Sequence, residues 1–314
     1  MTLLSFWRGH AHEVPILQSD KNESATPASP CPDRKGTLYI VATPIGNLED
    51  MSARASTVLA KVAVVAAEDT RHSGRLLQHL GIHKPLIALH DHNERDKANR
   101  ILAELEAGRD VALISDAGTP LISDPGYILV REARAQGMRV SPIPGPCALI
   151  AGLSAAGLPT DRFLFAGFLP AKRSGRRAVL DELSLETSTL VFYESPHRIL
   201  SAVSDIAEVL GPDRDVVLGR ELTKTFETFY DGPVSVVLEQ LEADPHGARG
   251  EFVVMVRGAS PTPGGADSGA LDLDRLICLL MAELPVKKVA RLAAELTGRP
   301  KNELYQRALA LKES

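Results

Sequence analysis

An α/β architecture built on a mostly parallel sheet follows from three observations in the sequence. Short apolar runs recur without polar alternation, as expected of strands buried on both faces. Helix-patterned stretches ending at glycine separate them. Clusters of Gly, Pro and Asp follow several of the runs, as turns must. Together these are the signature of repeated βα units.

Residues 1–35 form a leader without periodicity, rich in Ser, Pro and charge from residue 18 onward, and the fold is expected to begin at Gly36. TLYIVAT (37–43) reads as a strand, SARASTVLAKV (52–62) as a helix and VAVVAAE (62–68) as a strand. HSGRLLQHLG (72–81) is a helix stopped by Gly81, and PLIALH (85–90) a strand. KANRILAELEAG (97–108) is a helix ended by Gly108, and VALIS (111–115) a strand. PGYILVREARAQG (125–137) is again helical, with Asp124 or Ser123 expected as N-cap and Pro125 at the first helical position. RVSPI (139–143) closes a first α/β domain, 36–146.

A second α/β domain is expected over 147–258. CALIAGLSAAG (147–157) is a small-residue helix, FLFAGF and TLVFYE are strands, and ILSAVSDIAEVLG is an amphipathic helix. DVVLGREL is a further strand, while FETFYDG with PVSVVLEQL, then EFVVMVRG, point to antiparallel pairing. ASPTPGGADSGA (259–270) reads as a linker. Residues 271–314 then form three short helices broken at Pro285 and at Gly298-Arg299-Pro300.

Bulk properties remove several function classes. Hydrophobic residues make up 44%, enough for a sizeable core. No apolar stretch approaches the roughly 18 residues that span a bilayer, and MTLLSFWRGHAHEVPILQ lacks the basic start of a secretory signal. Cys31, Cys147 and Cys278 are isolated, which fits a reducing cytoplasm better than a disulfide or zinc framework. The net charge is −5, yet residues 285–312 carry seven Lys/Arg against two acids. That asymmetry marks the tail as either a solvated helix face or a nucleic-acid-binding module of helix-turn-helix type.

Three Gly/Pro loops carry the candidate chemistry: Thr43-Pro44-Ile45-Gly46-Asn47, Ser115-Asp116-Ala117-Gly118 and Pro142-Ile143-Pro144-Gly145-Pro146-Cys147. Each leaves the carboxyl end of an expected parallel strand, the edge where open sheets bind ligands. There they would line one cleft. The dinucleotide and P-loop fingerprints, H-E-x-x-H and a nucleophile elbow are all missing, and His90 and His92 alone make a poor metal site.

The order VATPIGNLEDMSARA, AEDTR, HNE, SDAGTPLISDPG, PIPGPCALIAGLSAAGLPTDRFLFAGFLP, FYESPHRI, GRELTKTFE and GEFVV resembles the tetrapyrrole-methylase superfamily of S-adenosylmethionine enzymes. With the tail motif LPVKKVARLAAELTGRPKNELYQRAL, it is most similar to the bacterial branch that 2′-O-methylates a decoding-region cytidine ribose of small-subunit ribosomal RNA. The resemblance implies two α/β domains with the cofactor in the cleft between them, and commonly a homodimer. It carries cofactor contacts to Pro44, Ile45, Gly46, Asp116, Ala117, Gly118, Ile122, Ser123, Cys147, Ala148, Phe192 and Leu222. Cys147 stands where the family usually has serine, so a weaker hydrogen-bonding group is expected there.

Methyl transfer to a ribose hydroxyl needs alignment, no metal, and help from a base. Glu68, Asp69, His92 and Glu194 lie in the matching motifs as candidates; Asp69 could instead cap a helix and Glu194 could pair with Arg198. For RNA phosphates the candidates are Arg71, Arg75, Lys172, Arg173, Arg176, Arg177 and Arg198, with Lys287, Lys288 and Lys301 of the tail. Two other readings compete with this one. The chain could be a methyltransferase of the same fold acting on a small tetrapyrrole or modified amino acid, for which a basic tail has no use. It could also be a non-catalytic ribosome-assembly factor, which would have no reason to keep Gly46, Asp116, Gly118 and Gly145.

Overall fold

The computed structural model describes residues 34–90, 94–260 and 273–313. His92, most of the expected leader and nearly all of the expected linker lie outside the described residues. The chain divides into two compact units: the first takes residues up to 41 with 53–116 and 125–143, the second takes 42–52, 117–124 and 144 onward. Among the described residues no helix is long and apolar enough to cross a membrane.

The first unit is a five-stranded parallel sheet. Its strands are β1 (Thr37–Val41), β2 (Val64–Ala67), β3 (Leu86–Ala88), β4 (Val111–Ile114) and β5 (Arg139–Ile143), in the order β3-β2-β4-β1-β5. All four residues of β4 are buried, which is why its sequence shows no alternation. The intervening helices are α1 (Ala53–Lys61), α2 (Thr70–His79), α3 (Glu94–Glu106) and α4 (Tyr127–Ala135).

Helix α4 corrects the sequence reading of its start. It begins at Tyr127 with Gly126 as N-cap at φ 127°, so Ser123 and Asp124 do not cap it. The orphan donors of its first turn are satisfied from elsewhere: Glu94 Oε1, at the start of α3, accepts from the Ile128 and Leu129 N–H groups at 2.7 and 3.2 Å. A carboxylate brought in from a neighbouring helix replaces the local cap.

The second unit holds a mixed sheet in the order β6-β7-β10-β8-β9. These strands are β6 (Phe163–Phe168), β7 (Thr189–Glu194), β8 (Asp215–Arg220), β9 (Thr228–Pro233) and β10 (Phe252–Val256). Only the β6–β7 pair is parallel. PVSVVLEQL takes no part in the pairing; it forms α8 (Val234–Ala243), with Val234, Val237 and Leu241 buried at helical spacing.

Residue parity divides this sheet into two faces. Leu190, Phe192, Val216, Leu218, Phe252 and Val254 pack with α6 (Arg173–Glu182), α7 (Ile199–Leu210) and α8. Val191, Tyr193, Val217, Val253 and Met255 pack on the other face, with α5 (Ala148–Ala155), Ile45 and Leu222.

Helix α6 is a second correction. Lys172, Arg173, Arg176 and Arg177 are expected from the sequence as phosphate contacts, but Arg173 onward is helical and Arg176 is 3% exposed. Asp205 of α7, 1% exposed, receives Arg176 at 2.6 Å and Arg173 at 2.9 Å, while Arg177 pairs with Glu208. These arginines staple two helices together.

The tail forms α9 (Leu273–Glu283), α10 (Val286–Thr297) and α11 (Lys301–Glu313) around a core of its own: Ile277, Val289, Ala290, Ala293, Leu304 and Ala308. Arg307 of α11 grips Asp274 of α9 through two hydrogen bonds of 2.8 and 2.6 Å.

Removing one partner of a buried ion pair leaves the other charge uncompensated, so Arg176→Ala should cost about 3–5 kcal/mol of stability in urea denaturation. Burial opposes ionisation of Asp205, but hydrogen bonds from Arg173 and Arg176 outweigh it and lower the carboxyl pKa. A depressed folded-state pKa stabilises above the unfolded value and is lost as pH falls through the folded one. Asp205→Asn should therefore be less stable than the parent at neutral pH, with the gap narrowing only below about pH 4.

Candidate functional site

Strand β1 lies between β4 and β5, so the turns that leave these three strands are neighbours at one sheet edge. Within the second unit their backbones are tied together. Thr43 and Gly118 form an isolated antiparallel bridge, with reciprocal N–H to carbonyl bonds of 2.9 and 3.0 Å. The Thr119 hydroxyl donates to the Pro146 carbonyl at 2.9 Å, which ties in the third turn.

Glycine is required at these crossings for steric reasons. Gly118 sits at φ 83°, and a Cβ there would meet Ile45 Cγ2 at 3.2 Å. A Cβ on Gly145 would lie 2.9 Å from that of Ala42. At both positions the bare backbone admits close packing of a neighbouring turn's side chain.

Among the described residues, four non-glycine residues have positive φ: Leu121 (73°), Ser123 (67°), Glu221 (51°) and Thr223 (65°). Each costs on the order of 1–2 kcal/mol relative to a right-handed conformation, and such strain concentrates where a ligand is handled. The first two lie in the β4 turn and the last two flank Leu222. The Thr223 hydroxyl oxygen is buried with no hydrogen-bond partner.

Most residues assigned to the cofactor by resemblance come together. Ile45, Cys147, Ala148 and Leu222 share one apolar cluster, and Gly118 is tied to the first turn through Thr43. Gly46 lies against Lys224, whose Cγ would be 2.4 Å from an added Cβ. Asp116 accepts the Asp69 N–H at 3.1 Å. Pro44, Ala117, Ile122 and Ser123 occupy the same turns. Phe192 does not join them: its ring is fully buried in the core against α7, on the opposite face, so only its backbone is available.

Tyr193, one residue further on, points the other way and is not among the residues the resemblance supplies. Its hydroxyl accepts the Leu149 N–H at 3.1 Å. Cys147 is the N-cap of α5 and makes no side-chain capping bond, so Tyr193 supplies the missing acceptor from the sheet face against which α5 packs. Burial, followed by the nearby Cys147 thiol, raises the phenol pKa, which keeps it protonated. Strand alternation in TLVFYE places Phe192 and Tyr193 on opposite faces, and this was the available signal.

The base candidates separate clearly. Asp69 caps α2, accepting the Arg71 N–H at 2.8 Å, and the Arg71 guanidinium, bound at 3.1 and 3.3 Å, pulls its pKa down to about 2. Glu194 is buried on the α6–α7 face and pairs with Arg198 at 2.7 Å. Glu68 is half-buried at the end of β2. Among the described residues no group of three or more His, Cys, Asp or Glu is placed to hold a metal ion.

Of the RNA candidates, Arg75, Lys172, Lys287, Lys288 and Lys301 are exposed, and Arg71 is exposed while bound to Asp69. Arg176 is withdrawn into its ion pair. Arg198 is engaged inside the protein by Glu194 and the Leu169 carbonyl.

Glycine turns interlocked by main-chain bonds beside an apolar cluster, in a chain with one parallel and one mixed sheet, mark an α/β protein built to hold a small ligand. Residues 37–237 match the family model of the Tetrapyrrole (Corrin/Porphyrin) Methylases, and the chain belongs to that family. Residues 267–312 match the RsmI C-terminal HTH domain. The chain is 58% identical over 274 residues to "Ribosomal RNA small subunit methyltransferase I" of Pseudomonas aeruginosa, covering 87% of this chain and 97% of that one. The protein of the same name from Escherichia coli O157:H7 is 55% identical over 88% and 95% of the two chains. Among solved structures, the methyltransferase CobJ aligns with a TM-score of 0.54 at 19% identity, covering 73% of this chain and 97% of its own. A Thermus thermophilus uroporphyrin-III-C-methyltransferase aligns at 0.51 and 22%, covering 71% and 94%. Both likenesses concern the fold.

S-adenosylmethionine suits these residues. Its adenine and methionine chain need apolar walls, while its hydroxyl, amino and carboxylate groups need main-chain donors and acceptors. The cluster around Leu222 and Ile45, the Cβ-free turns and the unpartnered Thr223 hydroxyl provide for both.

Gly118→Ala should lose about 1–2 kcal/mol in denaturant titration, from the strained φ and the Ile45 clash. Cys147→Ser should gain a few tenths to about 1 kcal/mol by restoring a local N-cap hydroxyl, provided Tyr193 is kept.

Proposed function

We propose that the chain transfers a methyl group from S-adenosylmethionine to the 2′-oxygen of a cytidine ribose in the decoding region of small-subunit ribosomal RNA. One observation carries the ribosomal-RNA part of this reading: relatives named as small-subunit ribosomal RNA methyltransferases match over 97% of their length at 58% identity, while the cytidine 2′-oxygen is what the motif resemblance implies. The solved neighbours that align almost whole leave more than a quarter of this chain unmatched, with coverage of 71% and 73%. A basic helical tail fits a polyanionic substrate and has no role with a small one. The superfamily resemblance supports a homodimer, and the isolated cysteines support a cytoplasmic protein.

When bound, the cofactor supplies an electrophilic methyl group on a sulfonium. The chain's contribution is to hold and align, which is worth several kcal/mol of barrier by itself. The three interlocked turns and Leu222 would hold the cofactor, with Phe192 contributing only main-chain atoms. Their backbone donors are fixed before anything binds, so little reorganisation accompanies the reaction.

The ribose hydroxyl must lose its proton as the new bond forms. Asp69, with its pKa near 2 and its oxygens on Arg71, binds a proton too weakly for this task. Glu194 is paired and faces the α6–α7 layer. The base role is therefore assigned to Glu68 or His92. Phosphate contacts are assigned to Arg71, Arg75, Lys172 and the tail lysines Lys287, Lys288 and Lys301, with Arg173 and Arg177 at the margin.

Small ribosomal subunits from cells lacking this protein, incubated with it and labelled cofactor, should gain label in RNA. One cytidine should become resistant to alkaline cleavage, because that cleavage needs a free 2′-hydroxyl. Label on a base, or none in RNA, would overturn the assignment. Removing residues 273–313 should lower transfer to subunits by roughly 10-fold or more at physiological salt, with cofactor affinity by calorimetry unchanged. Glu68→Gln or His92→Gln should cost roughly 100-fold in single-turnover rate, whichever residue is the base.

A further inference from the structure

Strand β6 contains an irregularity that reverses one side chain. In a regular strand Phe163, Phe165 and Gly167 would share one face while Leu164, Ala166 and Phe168 took the other. The register with β7 shifts between Phe165 and Phe168: Phe165 lies opposite Val191 and Phe168 opposite Tyr193. Gly167, at φ 65°, takes up the extra residue. This is a glycine bulge, a device that re-aims a side chain beside a site.

As a result, Phe168 and Phe165 both meet Tyr193 edge to face, at centroid distances of 5.8 and 4.9 Å. This is the face that carries Ile45, Cys147 and Leu222. The bulge also abuts the strained β4 turn, since a Cβ on Gly167 would lie 3.6 Å from Ser123 Oγ. Phe168 nevertheless stays 53% exposed. Its exposure is not slack: the adjoining Leu169 is buried, and Arg198 and Arg176 donate to the Leu169 and Ala171 carbonyls at 3.1 and 3.5 Å. Exposed Lys172 follows four residues after the ring.

We propose that Phe168 is the platform on which the substrate nucleobase stacks, with Lys172 taking an adjacent phosphate. An aromatic ring braced from behind, open in front, beside the cofactor turns and followed four residues later by an exposed cation has the chemistry that recognises an unstacked base. Stacking there would fix the ribose relative to the turns that hold the methyl donor. Phe168 is thus a substrate-positioning residue, and this role rests on the RNA-methylating reading above.

The test uses the full chain. Phe168→Ala should lower kcat/KM on small ribosomal subunits by roughly 10- to 100-fold, with cofactor affinity within twofold of the parent. Phe168→Trp and Phe168→Tyr should retain most activity, whereas Phe168→Leu, apolar but not planar, should resemble alanine. In a Trp7→Phe background, the fluorescence of Phe168→Trp should be quenched by a cytidine-containing oligoribonucleotide and not by its abasic counterpart. Parental activity in Phe168→Ala, or leucine performing as well as tryptophan, would overturn the proposal. So would a smaller species for Phe168→Ala in sedimentation with RNA response intact, since the ring would then belong to a contact between copies. If the unaltered chain transfers no label to RNA, the functional reading fails first, independently of Phe168.

Discussion

Two reciprocal hydrogen bonds between Thr43 and Gly118 set the geometry on which the candidate site depends. They join the turns leaving β1 and β4, strands that already lie side by side in the first unit's sheet. Once those turns are joined, the Thr119 hydroxyl reaches the third turn at Pro146, and Ile45 settles beside Leu222 and Cys147. None of this survives a side chain at position 118 without strain.

The left-handed residues show where folding energy is held back for function. Leu121, Ser123, Glu221 and Thr223 together represent several kcal/mol of conformational cost by order of magnitude. The surrounding structure has to enforce them. Glu221 is held by Lys224 at 2.8 Å and by the Glu251 N–H at 3.0 Å, and Thr223 by a bond from its N–H to Glu227 at 2.6 Å. Buried ion pairs such as Arg176–Asp205 stiffen the layer on the other side of the sheet.

Much of the fold was legible because burial leaves a pattern. Uninterrupted apolar runs announced β1, β2 and β4, and glycine stops at Gly81, Gly108 and Gly137 all adopt positive φ. What misled were residues whose role depends on distant partners. Arg173, Arg176 and Arg177 looked available to phosphate because Asp205 and Glu208 lie about thirty residues away in sequence. Asp124 looked like a cap because Glu94, the group that does the capping, belongs to another helix. The site was legible as three turns, but not as a bonded set. Tyr193 and the Phe168 bulge were invisible for the same reason: one depends on strand parity and the other on a break in it.

The turns are interlocked almost wholly by main-chain atoms. Amide and carbonyl groups are the same in every residue, so replacing the side chains around them leaves the bonds intact as long as a few positions stay bare. Such a lock erodes slowly under sequence drift. It offers a physical reason why proteins sharing only 14% to 22% of their residues with this chain still superimpose over about seven-tenths of it. Substrates can then diverge around a frame that the code words themselves barely record.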